Sequence, residues 1–482
     1  MGRKDIETRS DKEDDDRVIL NLIPERVYGL PPEERVMLRN LIDTYEYHAP
    51  KNREKQRYYE GKISLARVNL GIALPKDMQG LEIGCAWGAK TVDVLAARSM
   101  FDGFVGMNGQ TVEELDRLVR ANDLLTEYQK ACRDELKFGC TFATLSRDER
   151  LGCKIRFHSP QTAAAVWDGD QGRIAYGLAV IATAKDPDDH FQEKASLVYL
   201  YTPVAVWVLV WQGRERWTAQ PYSIKMGRPM MEPLVWAATS LKPFGRSRIK
   251  EPVRRLIDGY VRTVANASIG LEFSTAPQKY LLGVTDEQYK AVTSDKFRQY
   301  VGSIIAGTTN PDTGEKPTFG QLPQGSIQPH VDMLRMLSTQ FSAATGLTVT
   351  DTGVINDANP TSSDAILAQS QTLVGMAEQL NSGNGHALQT IAIMAQAVAQ
   401  DVRPDELTDE QLAVEAHFKN PAMPSVAVTA DAAVKIASVR EGFASTDVFL
   451  EMLGFSAADI RRINAQERRV RGAATLEELG IG

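Results

Sequence analysis

The sequence predicts an α+β fold in which helical segments enclose a long run of short strands. Three observations predict it. Between positions 141 and 236, short β-rich runs alternate with turn signals. On either side of that stretch, apolar residues recur at spacings of three and four, the mark of helices with one buried face. The composition, 43% hydrophobic and 24% charged, is that of a soluble globular chain. At roughly 150 residues per domain, the 482 residues correspond to about three folding units.

The first 28 residues are expected to be a disordered acidic tail, with Asp5, Glu7, Asp11, Glu13, Asp14, Asp15 and Asp16 and almost no apolar residue before Val18. From Pro31, the residues Val36, Leu38, Leu41, Ile42 and Tyr45 mark a helix that continues through 53–59 and stops at Gly61. Helical patterns return at 91–100 and 112–137. The runs 154–158, 163–167, 173–184, 195–201, 204–212 and 216–219 then read as strands of a largely antiparallel sheet. Asp168-Gly169-Asp170 and Gln212-Gly213 serve as hairpin turns between them. After Leu241-Lys242-Pro243-Phe244-Gly245, a helix is expected over 247–273, with Ile249, Val253, Leu256, Tyr260, Val261 and Val264 on one stripe and Pro252 in its first turn.

A compact Gly- and Pro-rich segment fills 274–326. A second helix spans 328–345 and ends at Gly346. A polar loop, 348–360, leads to a helix opened by Thr361 with Asp364 as its capping-box partner. That helix is expected to break at Asn381-Ser382-Gly383-Asn384-Gly385 and to resume as far as about Val402. A strand at 413–418 and helices from 429 complete the chain, with Ser456 and Asp459 as another capping signal.

Several function classes lose support at this point. The formal charge of −7 argues against a protein that coats DNA with basic surface. The charged start of the chain lacks the apolar region of a signal peptide, and the most apolar run, 197–211, is shorter than the roughly 20 residues of a spanning helix, so no membrane role is expected. Cys85, Cys132, Cys140 and Cys153 match no zinc spacing and read as reduced, intracellular thiols. The six histidines form no metal-binding pair, and Asp186, Asp188, Asp189 and His190 read as a solvated turn beside Pro187.

Residues 81–91, Leu-Glu-Ile-Gly-Cys-Ala-Trp-Gly-Ala-Lys-Thr, resemble both a methyltransferase glycine loop and a phosphate loop. Ala86 and Ala89 stand where each motif needs glycine, and no βαβ repeat follows. No catalytic set, cofactor site or metal site is therefore expected. One charge pattern remains. Lys242, Arg246, Arg248, Lys250, Arg254, Arg255 and Arg262 gather on and before the first long helix, where the spacing of seven would put Arg248, Arg255 and Arg262 on one face. Such a face could be solvated, could pair with a neighbouring subunit, or could look at DNA.

The order of several stretches resembles the portal proteins of tailed phages, nearest to the branch from long-tailed phages of Gram-positive and actinobacterial hosts. They are Arg57-Tyr58-Tyr59-Glu60-Gly61; Val92-Asp93-Val94-Leu95-Ala96 with Phe101-Asp102-Gly103-Phe104; Phe244-Gly245-Arg246-Ser247-Arg248-Ile249; and Phe341-Ser342-Ala343-Ala344-Thr345-Gly346-Leu347 with Asn359-Pro360-Thr361-Ser362-Ser363-Asp364-Ala365-Ile366. The resemblance implies a non-enzymatic ring of about twelve subunits at one capsid vertex, a closed heterologous assembly. It implies a portal-like layout: a mixed wing over 29–240, a stem helix over 241–273, a small α/β clip over 274–326, a second stem helix over 327–347 and a tunnel loop over 348–360. A long broken helix and return strand over 361–428 and a helical crown over 429–482 complete it.

Double-stranded DNA would pass through the channel during packaging and ejection, without sequence specificity. The channel candidates are Arg248, Arg255, Arg262, Thr350, Asp351, Asn356, Asp357 and Asn359. The implied partners are terminase, a head-completion or adaptor protein, and the major capsid and scaffold proteins. The implied location is the virion, after assembly in the host cytoplasm. Another ring-forming virion connector, or a nucleotide-dependent enzyme using 81–91, are the competing readings.

Overall fold

A computed structural model describes residues 27–64, 82–106, 112–185, 193–213, 216–275, 279–282, 314, 316, 318–321, 326–353, 363–422, 426–440, 442–455 and 457–478. The chain divides into two compact units. Met1–Asn52, Asp93–Ser247 and Leu367–Gly482 form the first, and Arg53–Val92 and Arg248–Ile366 the second.

In chain order the elements begin with β1 (Val27–Tyr28), α1 (Pro32–Glu60), β2 (Lys62–Ser64), β3 (Glu82–Gly84), α2 (Trp87–Ala96), β4 (Phe101–Val105), α3 (Glu113–Ala121) and α4 (Leu124–Phe138). Eight strands follow: β5 (Cys140–Asp148), β6 (Gly152–His158), β7 (Ala163–Asp168), β8 (Arg173–Lys185), β9 (Glu193–Tyr201), β10 (Ala205–Trp211), β11 (Trp217–Ser223) and β12 (Met231–Val235). Then come α5 (Glu251–Thr275), β13 (Lys279–Leu282), β14 (Thr318–Gln321), α6 (Gln328–Thr345), α7 (Ser363–Gln400), α8 (Asp409–Leu412), β15 (Glu415–Phe418), α9 (Val426–Val439), α10 (Asp447–Met452) and α11 (Ala457–Glu478).

The first unit is built on a six-stranded sheet in the order β1-β11-β10-β9-β8-β7. All its pairs are antiparallel except β1 with β11. Strand alternation turns Leu178, Val198, Leu200, Trp207 and Leu209 to one buried face, where Leu38, Leu41 and Tyr45 of α1 join them. Each fully buried side chain of this kind contributes roughly 1.5–3 kcal/mol. The Tyr45 hydroxyl donates to the Gln161 carbonyl at 2.8 Å, so the ring is buried without orphaning its polar end.

The expected turns have visible causes. Asp168 accepts from the amides of Asp170 and Gln171, closing the β7–β8 turn. Gly213, at φ 95°, turns β10 into β11.

A second sheet, β12-β5-β6, carries α4 against it. The expected helix over 112–137 is two helices. Asp123 sits at φ 47°, and the Asn122 side chain donates to the carbonyls of Leu118 and Cys153 and accepts from the Ile155 amide. Asn122 thereby ties the helix break to β6.

The expected break in the long helix is corrected: α7 runs unbroken from Ser363 to Gln400. Leu373, Ala377, Leu380, Leu388, Ile391 and Ala395 form its buried stripe, and Asn384 occupies a stripe position with no exposure. Tertiary burial holds a segment whose Ser, Gly and Asn residues disfavour helix on their own. Asn384 donates to Glu135 Oε2 at 2.7 Å and to the Tyr128 hydroxyl at 3.0 Å, both on α4. The strand β15 pairs antiparallel with β4, although the two are far apart in the chain.

In the second unit, β2 and β3 form a small antiparallel pair and α5 packs on α6. The strands β13 and β14 pair within the segment expected to be compact, whose remainder lies outside the described residues. The expected helix at 328–345 is found with those bounds and ends in Gly346 at φ 72°. The buried apolar residues of α5 and the turn before it are Ile249, Val253, Ile257, Val261 and Ala265, an i, i+4 series. Leu256, Tyr260 and Val264 of the expected stripe are only partly covered. Thr361 and Ser456, expected as helix caps, lie outside the described residues.

Candidate channel and assembly elements

The second unit contains most of the residues singled out for a channel. Its helices are joined by a wedge, Trp87, at the start of α2. The indole stacks on Phe341 of α6 with centroids 4.5 Å apart and lies against Tyr260 of α5 at 4.7 Å. Its Nε1–H donates to the Thr352 carbonyl at 3.0 Å. The same stretch of chain therefore contacts both long helices and the turn that follows α6. Where α5 crosses α6, Gly259 faces Leu337, and the missing side chain leaves room for the leucine.

Arg248 does not lie on the helix. It precedes α5, which begins at Glu251, and is 6% exposed. Its guanidinium donates to the Thr91 carbonyl at 2.6 Å and to the Thr345 carbonyl at 2.7 Å. Burial pulls its pKa down to about 10, which leaves it charged at neutral pH. The shared face expected for Arg248, Arg255 and Arg262 is thus corrected, because Arg248 is a buried strut between backbone carbonyls.

Arg255 and Arg262 are exposed on α5, one heptad apart. Arg255 makes two hydrogen bonds to Glu251 Oε1, at 2.7 and 3.1 Å. Arg254 pairs with Glu54 at 3.2 Å and lies over the Tyr58 ring, whose hydroxyl donates to Asp258 at 2.8 Å. Arg248, Arg254 and Arg255 are therefore engaged within the second unit.

Thr350 and Asp351 fall in a 3-10 turn, Thr350–Thr352. Asp351 Oδ2 accepts from the Thr348 amide at 3.0 Å and from its hydroxyl at 2.8 Å. The Thr350 and Thr348 hydroxyls lie 2.6 Å apart, and Thr352 is bound to Ser338 of α6 at 2.6 Å. The carboxylate holds the start of the loop in shape. Asn356, Asp357 and Asn359 lie outside the described residues.

The glycine loop has a structural explanation. The strand β3 pairs antiparallel with β2 and not with a strand of a βαβ unit. Gly88 is buried against α1, where an added Cβ would overlap the Tyr58 carbonyl. That close approach, and no phosphate, accounts for the glycine. Gly88→Ala should lower the stability of the second unit by about 3 kcal/mol, as overpacking against backbone does. A loss of under about 0.5 kcal/mol in urea unfolding would contradict the packing described.

Burial pushes the Cys85 thiol up to about 11, so it is a poor nucleophile. All four cysteines are buried and unpaired with one another. Burial pulls His158 down to about 4, and its Nε2 lies 3.0 Å from the Thr144 hydroxyl. The segment of Asp186 to His190 lies outside the described residues. Among the described residues no cluster of His, Cys, Asp and Glu could hold a metal ion, and no helix is long and apolar enough to cross a membrane.

Two features escaped the reading of the sequence. Trp87 gave one faint signal, a large aromatic between glycines. The buried pairing of Glu135 with Asn384 gave none, since its partners come from α4 and α7.

No protein-family model matches the chain. Curated proteins do. The portal protein of Mycobacterium phage D29 is 25% identical over 446 residues, covering 89% of this chain and 88% of that one. The portal protein of Mycobacterium phage L5 is 24% identical over 452 residues, covering 90% and 88%. Among solved structures, a chain of the virion of a native gene transfer agent particle superposes with a TM-score of 0.44 at 13% identity, covering 77% of this chain and 89% of that one. A chain from the neck of that native particle, computed with C12 symmetry, also gives 0.44, at 11% identity, covering 82% and 93%.

The class defined by the two curated relatives is that of phage proteins, both from phages of Mycobacterium. Within that class the resemblance is to portal proteins, as the order of motifs implied, and it spans nearly the whole chain.

Proposed function

We propose that this protein works as a phage portal, a ring at one capsid vertex through which double-stranded DNA is packaged and ejected. The observation that carries the reading is the similarity to two portal proteins over about nine-tenths of every chain compared. The paired helices α5 and α6, with the segment between them, are the elements such a ring would use as stem and clip. On this reading, residues 29–240 act as the wing, 348–360 as the tunnel loop, and 429–482 as the crown. The unbroken α7 passes from the loop back into the wing.

The protein supports the passage of DNA and catalyses nothing; terminase supplies the motor. Terminase and then a head-completion protein dock on the clip, and capsid and scaffold proteins surround the ring. Arg255, Arg262 and the loop residues Thr350, Asp351, Asn356, Asp357 and Asn359 are the DNA-facing candidates. A conduit needs weak contacts, because many phosphate-neutralising cations would act as a brake. Arg255 beside Glu251 suits that need. A nucleotide enzyme built on residues 81–91 is disfavoured by the packing of Gly88.

Immunogold labelling of purified particles tests the placement. Label should sit at the single tail-bearing vertex. Label spread over the capsid shell or along the tail would exclude a portal and leave another connector.

A further inference from the structure

The helix α11, in the first unit, is anchored on one side. Ile460 is 4% exposed, and the Asn464 side chain donates to Asp447 of α10 at 2.7 Å. At 3.6 residues per turn, Arg462, Ala465, Gln466 and Arg469 stand at i, i+3, i+4 and i+7 and share another face. All four are exposed, as is Arg468 at the border of that face. Residues 460–471 hold five arginines against one carboxylate, Glu467, in a chain of net charge −7. Arg469 has no ion pair or hydrogen bond among the described residues. Arg462 reaches Asp459 at 3.6 Å, an exposed pair of little strength.

Guanidiniums with so little local compensation call for an anion. A protein partner would need an apolar anchor at the centre of the contact. This face offers alanine and the stems of arginine and glutamine, and the exposed Val470 is turned about 80° from Arg462 around the helix. Interfaces with nucleic acid are more polar and far more positive than those between proteins.

We infer that this face of α11 holds double-stranded DNA by its phosphates, without reading the base sequence. The inference adds a contact outside the channel candidates and rests on the portal reading only in that DNA is the polyanion the chain meets. Arg462 and Arg469 are about 10 Å apart along the helix axis, close to the roughly 12 Å width of the major groove, so they can reach phosphates on its two edges. Three phosphate contacts lose roughly 40-fold in affinity between 50 and 200 mM salt, so each helix holds DNA weakly and reversibly.

The test uses the full chain, a fluorescent duplex of about 20 base pairs, and its affinity measured across that salt range. Arg462→Gln/Arg468→Gln/Arg469→Gln should flatten the slope of log affinity against log salt by roughly 2 to 3, since each neutralised phosphate contributes about 0.9. The triple lysine variant should keep the slope, because counterion release counts charges. An unchanged slope in the glutamine variant overturns the inference, and so does equal loss in the lysine variant. Polyglutamate that binds through these arginines where the duplex does not also overturns it and assigns the face to an acidic protein. Electron microscopy of the same samples separates the two readings. Rings whose DNA affinity ignores the three arginines contradict this inference alone, and monomers that bind DNA through them support it while contradicting the portal.

Discussion

Arg248→Ala should destabilise the second unit by about 3 kcal/mol, because it removes the side-chain donor shared by two buried carbonyls, of Thr91 and Thr345, and opens a cavity between them. Hydrogen exchange at 87–91 and 341–346 reads the effect locally. Arg248→Lys should recover part of the loss, since an ammonium on a flexible stem cannot span both carbonyls as a planar fork does. Arg255→Glu, at an exposed site beside Glu251, should leave local exchange almost unchanged. If Arg248→Ala exchanges like the unaltered protein while Arg255→Glu unfolds the unit, the roles assigned to the two arginines are reversed.

Glu135→Gln should remove a pH dependence that the unaltered protein carries. Glu135 is fully buried, and burial pushes its pKa from 4.5 up to about 8. It accepts one hydrogen bond from Asn384, while its Oε1 and the Asn384 Oδ1 both lack a partner. One proton on Glu135, donated to Asn384, would satisfy both atoms in an acid–amide pair. The folded chain therefore holds this proton more tightly than the unfolded chain does.

The contribution of that proton to stability is complete below about pH 4.5 and is lost as pH rises through about 8. Inside that window each pH unit removes about 1.4 kcal/mol. The glutamine is the neutral isostere and keeps both hydrogen bonds. It should match the unaltered protein at pH 5 and exceed it by several kcal/mol at pH 9, measured by urea unfolding. Parallel stability curves across that range would show that Glu135 is not the titrating group.

Local signals were legible in the sequence and distant ones were not. The helix α6 is bounded by Pro329 near its start and Gly346 at its end, and periodicity plus those two residues placed it correctly. The turns of the large sheet were legible for the same reason, since Asp168 and Gly213 act on their own neighbours. The break expected in α7 failed because propensity describes the isolated segment, whereas Asn384 sits on a buried stripe and bonds to α4. The pairing of β4 with β15 had no local signature.

Arg248 was misplaced by a different error. A spacing of seven implies one face only if all members are helical, and α5 starts three residues later. The glycines of 84–88 showed the opposite failure. Their spacing suggested a cofactor, and the real constraint, contact of Gly88 with α1, belongs to another part of the chain.

The central claim is assembly around an axis, and electron microscopy of the purified full-length protein, with its mass measured by native mass spectrometry, tests it most directly. The account predicts closed rings of about twelve copies with a central opening wide enough for duplex DNA. A monomer at every concentration, or an open filament in place of a ring, would contradict it.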